Sequence, residues 1–159
     1  MNPDPTERKT DMPAKNTTDP GTHMTEDERA ALKERAEEIR GARRGAKADV
    51  DPEAEVLAKI AEMTGLDRTL AERVHALVRE VAPHLTPKTW YGMPGYAKDG
   101  KVLCFFTAAE KFKGRYATLG FNDVAQLDDG AMWPTAFALT GLSPEVESRI
   151  RELVARAAR

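Results

Sequence analysis

Thr89-Trp90-Tyr91-Gly92-Met93-Pro94-Gly95-Tyr96, continuing into Ala97-Lys98-Asp99-Gly100-Lys101, is the stretch at which this chain changes its period. Upstream, apolar residues recur at the three-four spacing of helices; downstream they alternate or run together as in strands. Asp99-Gly100 is the dipeptide that a two-residue type I′ hairpin turn favours, since both central residues need a positive φ. Tyr96-Ala97-Lys98 and Lys101-Val102-Leu103 flank it as the two arms. Thr89 to Tyr96 reads as a loop between the helical and strand-rich halves. Glycine and proline shape its backbone, while Trp90, Tyr91 and Tyr96 offer flat, half-polar surfaces. Loops of that composition, held by regular elements, are where binding usually sits.

Two helices are expected before this stretch. Asp51-Pro52-Glu53 supplies an N-cap and a proline for the first helical position. Val56, Leu57, Ile60 and Met63 follow on one face, and Gly65 is expected to stop the helix. Asp67 should cap the next helix, whose Leu70, Val74, Leu77, Val78 and Val81 run on to Pro83. The pair should pack antiparallel on a shared apolar face. Further upstream, Thr25 and Glu28 form a capping box that opens a charged helix ending near Arg44. Its apolar residues are few (Ala31, Leu32, Ala36, Ile39), and Arg40, Arg43, Arg44 and Lys47 make a basic end. Met1 to His23 hold four prolines and almost no apolar side chains, so disorder is expected there.

Downstream, Val102 to Phe106 is apolar on both faces, as in a central strand. Lys111 to Phe121 reads as a second strand region with a bulge at Gly114, and Asn122 to Asp129 as a turn-rich or short helical link. Ala136 to Thr140 is a further strand. Ser143-Pro144-Glu145 then caps a final helix with Val146, Ile150, Leu153, Val154 and Ala157 inward. The expected class is α+β: two N-terminal helices, a small antiparallel sheet and a C-terminal helix. The expected organisation is a disordered tail over 1–24, a charged helical extension over 25–48 and an α+β domain over 49–159.

Composition narrows the function classes. The chain has 159 residues, a net charge of −2 and an isoelectric point near 6.0. No global field therefore draws it to nucleic acid or anionic lipid. Cys104 is its one cysteine, which excludes an internal disulfide and a Cys-rich zinc site. No run approaches the roughly 20 apolar residues of a membrane span, and the N-terminal residues lack the apolar core of a secretory signal. The expected location is cytoplasmic and the expected state a monomer or weak dimer.

The residues that carry chemistry leave several readings open. Thiol catalysis would need Cys104 beside His75 or His84, but Cys104 lies in an apolar strand, where a thiol behaves as a small hydrophobe, and His75 beside the apolar stripe of its helix suits a structural role. Neither an enzyme nor a required cofactor is expected. Tyr91, Met93, Tyr96 and Trp133 could wall a site for a small ligand or a protein partner. Lys101, Arg115 and Asn122 would be its polar anchors. The same aromatics could equally plug the edge of the core. Asp123, Asp128 and Asp129 could form an oxygen-rich patch suited to iron or magnesium, yet Asp-Asp-Gly is also ordinary turn chemistry. Finally, Lys98, Lys101, Lys111, Lys113 and Arg115 interleave with Phe105, Phe106, Phe112, Tyr116 and Phe121, the pattern of a single-strand stacking platform. The acidic overall balance argues against nucleic acid.

At Trp90-Tyr91-Gly92-Met93-Pro94-Gly95-Tyr96, then Gly100-Lys101 and Cys104-Phe105-Phe106, the chain resembles the bacterial YdhG-like family. Tyr116 to Asn122 and Trp133-Pro134-Thr135-Ala136-Phe137 extend the likeness, which covers about Asp51 to the C-terminus. The resemblance implies a frataxin-like α+β domain. It also implies, as an alternative function, an iron chaperone delivering iron for cluster or haem assembly. The acidic helix and strand edge used by frataxin-type iron binding have no distinct counterpart here. The helix from Asp51 carries only Asp51, Glu53, Glu55 and Glu62, and the strands are basic.

Overall fold

The structure, a computed structural model, describes residues 24–44 and 50–159. The tail expected over residues 1–23, and the side chains of the basic run Arg43, Arg44 and Lys47, lie outside the described residues. Four helices and five strands follow one another as α1 (Glu26–Arg44), α2 (Pro52–Glu62), α3 (Gly65–Val81), β1 (Thr86–Trp90), β2 (Met93–Lys98), β3 (Lys101–Thr107), β4 (Ala117–Phe121), β5 (Ala136–Leu139) and α4 (Pro144–Ala157). The strands form one antiparallel sheet in the order β1-β2-β3-β4-β5. The class is α+β, with a C-terminal helix.

The helix starts follow from their caps. Asp51 accepts the Glu53 N–H at 3.0 Å and Ser143 accepts that of Val146 at 3.2 Å. Thr25 and Glu28 exchange the two bonds of a capping box, at 3.1 and 2.9 Å. The core lies on one face of the sheet. Register places Tyr96, Cys104 and Phe121 in one row and Phe106, Leu119 and Phe137 in the next. Against these rows pack Val56 and Ile60 of α2, Leu70, Val74, Leu77 and Val78 of α3, and Ile150 and Val154 of α4.

Several expectations are corrected. Thr89 to Tyr96 is no loop: Thr86–Trp90 is a strand, and only Tyr91 and Gly92 turn the chain into β2. Gly65 does not stop α2, which ends at Glu62; Gly65 opens α3 from a positive φ of 57°. Asp67 sits inside the first turn of α3 rather than at its cap. Its carboxylate accepts the backbone N–H groups of Ala109 and Glu110 at 2.9 and 3.1 Å, tying α3 to the β3–β4 connection. That connection holds a short 3₁₀ turn, Glu110–Phe112, so β4 begins only at Ala117. The sheet's irregularity falls between Tyr96 and Ala97, opposite the unpaired Leu103, and not at Gly114. Asn122 to Asp129, expected as a turn-rich or short helical link, is the turn-rich one.

Candidate functional site

The face of the sheet turned away from α2, α3 and α4 has its own chemistry. One cross-sheet row there runs Lys88–Gly95–Phe105–Gly120–Ala136. Glycines flank Phe105 on both sides, so its ring lies on the bare backbone of Gly120, where a Cβ would run into it. Trp90 leans over Gly95 from the other side, and its ring centroid lies 4.8 Å from that of Phe105. Tyr91 meets Trp90 edge-on at 4.8 Å, and the Arg35 guanidinium of α1 stands 5.4 Å over the Tyr91 ring. The result is a continuous ladder, Arg35–Tyr91–Trp90–Phe105, half open to solvent. Beside it, Arg35, Lys88, Lys101 and the carboxylate of Asp123 line, with Trp90, Val102 and Asn122, a shallow basin of about 620 Å³. Arg35 is paired with Glu38 at 3.3 Å. Three cations against the one carboxylate of Asp123 still leave a positive balance around the partly exposed indole, which suits a flat ligand with a negative charge.

The residues singled out in sequence fall into separate places. Lys101 and Asn122 share that basin. Asn122 also borders an adjoining recess of about 600 Å³ with Asp123, Asp128, Met132 and Trp133. Trp133 and Tyr91 do not meet. Phe121 accompanies Thr135 at one end of the sheet, whereas the Tyr91–Gly92 turn lies at the other, beside Thr107. Met93 is buried, its sulfur accepting the Thr107 hydroxyl at 3.0 Å. Arg115 is on the far side, lining a hollow with Asp67 and Tyr116. Among the described residues no three acidic, histidine or cysteine side chains converge as metal ligands. Asp123, Asp128 and Asp129 therefore do not form a cage, although the first two border one recess.

Tyr96 is wholly buried on the helix-covered face, not in a ligand wall. Its hydroxyl lies 3.0 Å from His75 Nδ1, and His75 Nε2 lies 3.0 Å from the Glu53 carboxylate. A carboxylate can only accept, so Nε2 donates to Glu53; in the neutral ring Nδ1 is then left as acceptor for the tyrosine hydroxyl. Arg79 closes the chain at 3.2 Å from Glu53. Burial raises the phenol pKa of Tyr96 and pushes the Cys104 thiol up to about 12. Each polar group here has a partner, which is what a load of buried polar atoms in a core requires.

Sequence reasoning missed a second cluster, under α1. The Glu38 carboxylate accepts the backbone N–H groups of Tyr91 and Gly92 at 3.3 and 2.9 Å. Glu34, one turn earlier, lies between the ammonium groups of Lys59 on α2 and Lys111 on the 3₁₀ turn, 3.2 Å from each. Burial would lower the Lys59 pKa, but the hydrogen bonds and charges of Glu34 and, more weakly, of Glu62 on α2 together outweigh it and the value is raised. Gly92 has no side chain to spare: a Cβ there would collide with the Glu34 carboxylate. The only sequence signal was the spacing Glu34, Glu38 on a helix with little apolar surface. No family model, characterised protein or solved structure matches this chain, so the site stands on its geometry.

Proposed function

We propose that this chain is a cytoplasmic, non-catalytic binding domain of the YdhG-like kind, and that it holds a small anionic ligand with a flat ring system on the uncovered face of its sheet. The observation that supports the reading most is the basin that Arg35, Lys88 and Lys101 line with Trp90 and Val102, against the single carboxylate of Asp123. A ring stacks on indole at little entropic cost, and three cations supply charge-assisted bonds to a phosphate or carboxylate. The proposed site takes Trp90 from the Trp-Tyr-Gly-Met-Pro signature and its cations from outside it. Tyr91 and Trp90 contribute; Met93 and Tyr96 serve the core.

Adenosine monophosphate is a suitable probe, with inorganic phosphate as the control for charge alone. In a Trp133→Phe chain, Trp90 is the sole indole. Saturable quenching of its fluorescence by the nucleotide is expected, weakened at least tenfold in Lys88→Gln/Lys101→Gln. No saturation up to about 10 mM, or quenching that ignores both lysines, contradicts the reading. Ferrous iron, the alternative ligand implied by the family resemblance, is tested separately by calorimetric titration.

A further inference from the structure

The groups that hold α1 are fixed without it. The Tyr91 and Gly92 amides belong to a β-hairpin turn, Lys59 to α2 and Lys111 to the 3₁₀ turn. Together they form a cradle of two backbone N–H donors and two ammonium groups, with Gly92 leaving room for a carboxylate. What occupies it is one edge of α1, with Glu34 and Glu38 a turn apart and Ala31 beside them. Ala31 is the one residue of α1 buried among those described; Leu32 and Ile39 point outward, 48% and 40% exposed. A helix attached chiefly by partly exposed ion pairs and hydrogen bonds is held weakly compared with one that buries an apolar stripe. Lifting α1 would leave two amides and two lysines arranged to receive carboxylates spaced one helical turn apart.

We propose that this cradle is a docking site for an acidic helix of a partner protein, one presenting two carboxylates at positions i and i+4, and that α1 is its internal competitor. This site is separate from the basin around Trp90, and neither proposal depends on the other. Charge complementarity selects the occupant: Glu55 borders the recess and Glu62 lies 3.5 Å from Lys59, yet the two amides and two ammonium groups still face α1, and the helix already seated there meets them with two glutamates. Because α1 is tethered, it competes at an effective concentration on the order of 1 mM. A partner helix at micromolar concentration therefore gains the site only when α1 is weakened or outmatched.

The test uses the full chain and a labelled synthetic peptide of residues 25–44 as the probe helix. Glu34→Gln/Glu38→Gln should bind the peptide at least tenfold more tightly than the unmodified chain, because its own α1 no longer competes. Adding Lys59→Gln/Lys111→Gln should remove that gain, with circular dichroism showing that the fold persists. A peptide whose two glutamates are replaced by glutamine should bind neither chain. Equal affinity for the unmodified and Glu34→Gln/Glu38→Gln chains overturns the proposal, as does binding that survives loss of both lysines. Dimerisation of the unmodified chain that the free peptide disrupts would instead assign the cradle to the α1 of a second copy and overturn the partner reading.

Discussion

Two turns in this protein share one backbone shape and differ in almost everything else. Tyr91–Gly92, between β1 and β2, has φ values of 53° and 73°; Asp99–Gly100, between β2 and β3, has 51° and 79°. Both pairs have the positive φ that tight antiparallel hairpins require. Nothing lies within 4 Å of a Cβ built on Gly100, whereas Gly92 is closed over by Glu34, and Glu38 takes the amides of Tyr91 and Gly92. The second turn merely reverses the chain. The first also anchors a helix from elsewhere in the sequence. Turn geometry is thus common property, and its use is decided by what approaches its donors.

Glycine substitution should separate the turns most strongly. Gly100→Ala should cost about 1 kcal/mol, the penalty for placing an L-residue at positive φ. Gly92→Ala carries the same penalty and also displaces Glu34, so a total of about 2 kcal/mol is expected, with loss of amide protection across α1. Urea midpoints and hydrogen exchange over residues 26–44 read the difference; equal costs and an undisturbed α1 would break the comparison. Next comes Glu38→Gln, which weakens two bonds to a charged acceptor and should cost about 1 kcal/mol while leaving Asp99 and Gly100 unaffected.

Two smaller effects come from solution conditions. Raising the salt to 1 M shortens the screening length to about 3 Å, so the partly exposed Glu34–Lys59 and Glu34–Lys111 pairs should weaken by about 0.5 kcal/mol. Exchange at α1 should quicken while the β2–β3 turn does not respond. Alkaline pH acts in the same direction. The Lys59 pKa is raised above 10.5 in the folded chain, so its contribution is complete below that value. That contribution disappears as pH rises through the raised one. Protection of α1 should therefore fade at high pH before the core opens; fading toward acid instead, between pH 7 and 5, would place its support elsewhere.

What the sequence disclosed, and what it withheld, divides along the same line. Asp99-Gly100 announced its turn because Asp and Gly tolerate positive φ, and Leu70, Val74, Leu77 and Val78 announced α3 by their spacing. Asp51, Ser143 and the Thr25/Glu28 box are local devices, each confirmed by its own short-range bond. Tyr91 concealed the first turn, since a bulky residue at positive φ is uncommon. With that turn hidden, Thr89 and Trp90 at the end of β1 read as the start of a loop. Asp67 looked like a cap because its partners, Ala109 and Glu110, lie about forty residues further along. The cradle was illegible for the same reason: Glu34 and Glu38 resemble any solvated acidic face until folding brings Lys59, Lys111 and Gly92 beneath them. Of the residues that line the basin around Trp90, Lys101 and Asn122 stand out in the sequence as candidate anchors, whereas the glycine row beneath the rings does not.

The most direct measurement is amide hydrogen exchange at the four turn residues, followed by NMR in the unmodified chain and in Glu38→Gln. If Glu38 holds the first turn, the Tyr91 and Gly92 amides are protected in the unmodified chain and exchange at least tenfold faster in the variant. Asp99 and Gly100 should exchange at one rate in both. Tyr91 and Gly92 exchanging equally fast in both chains would contradict the seating of α1 on the first turn.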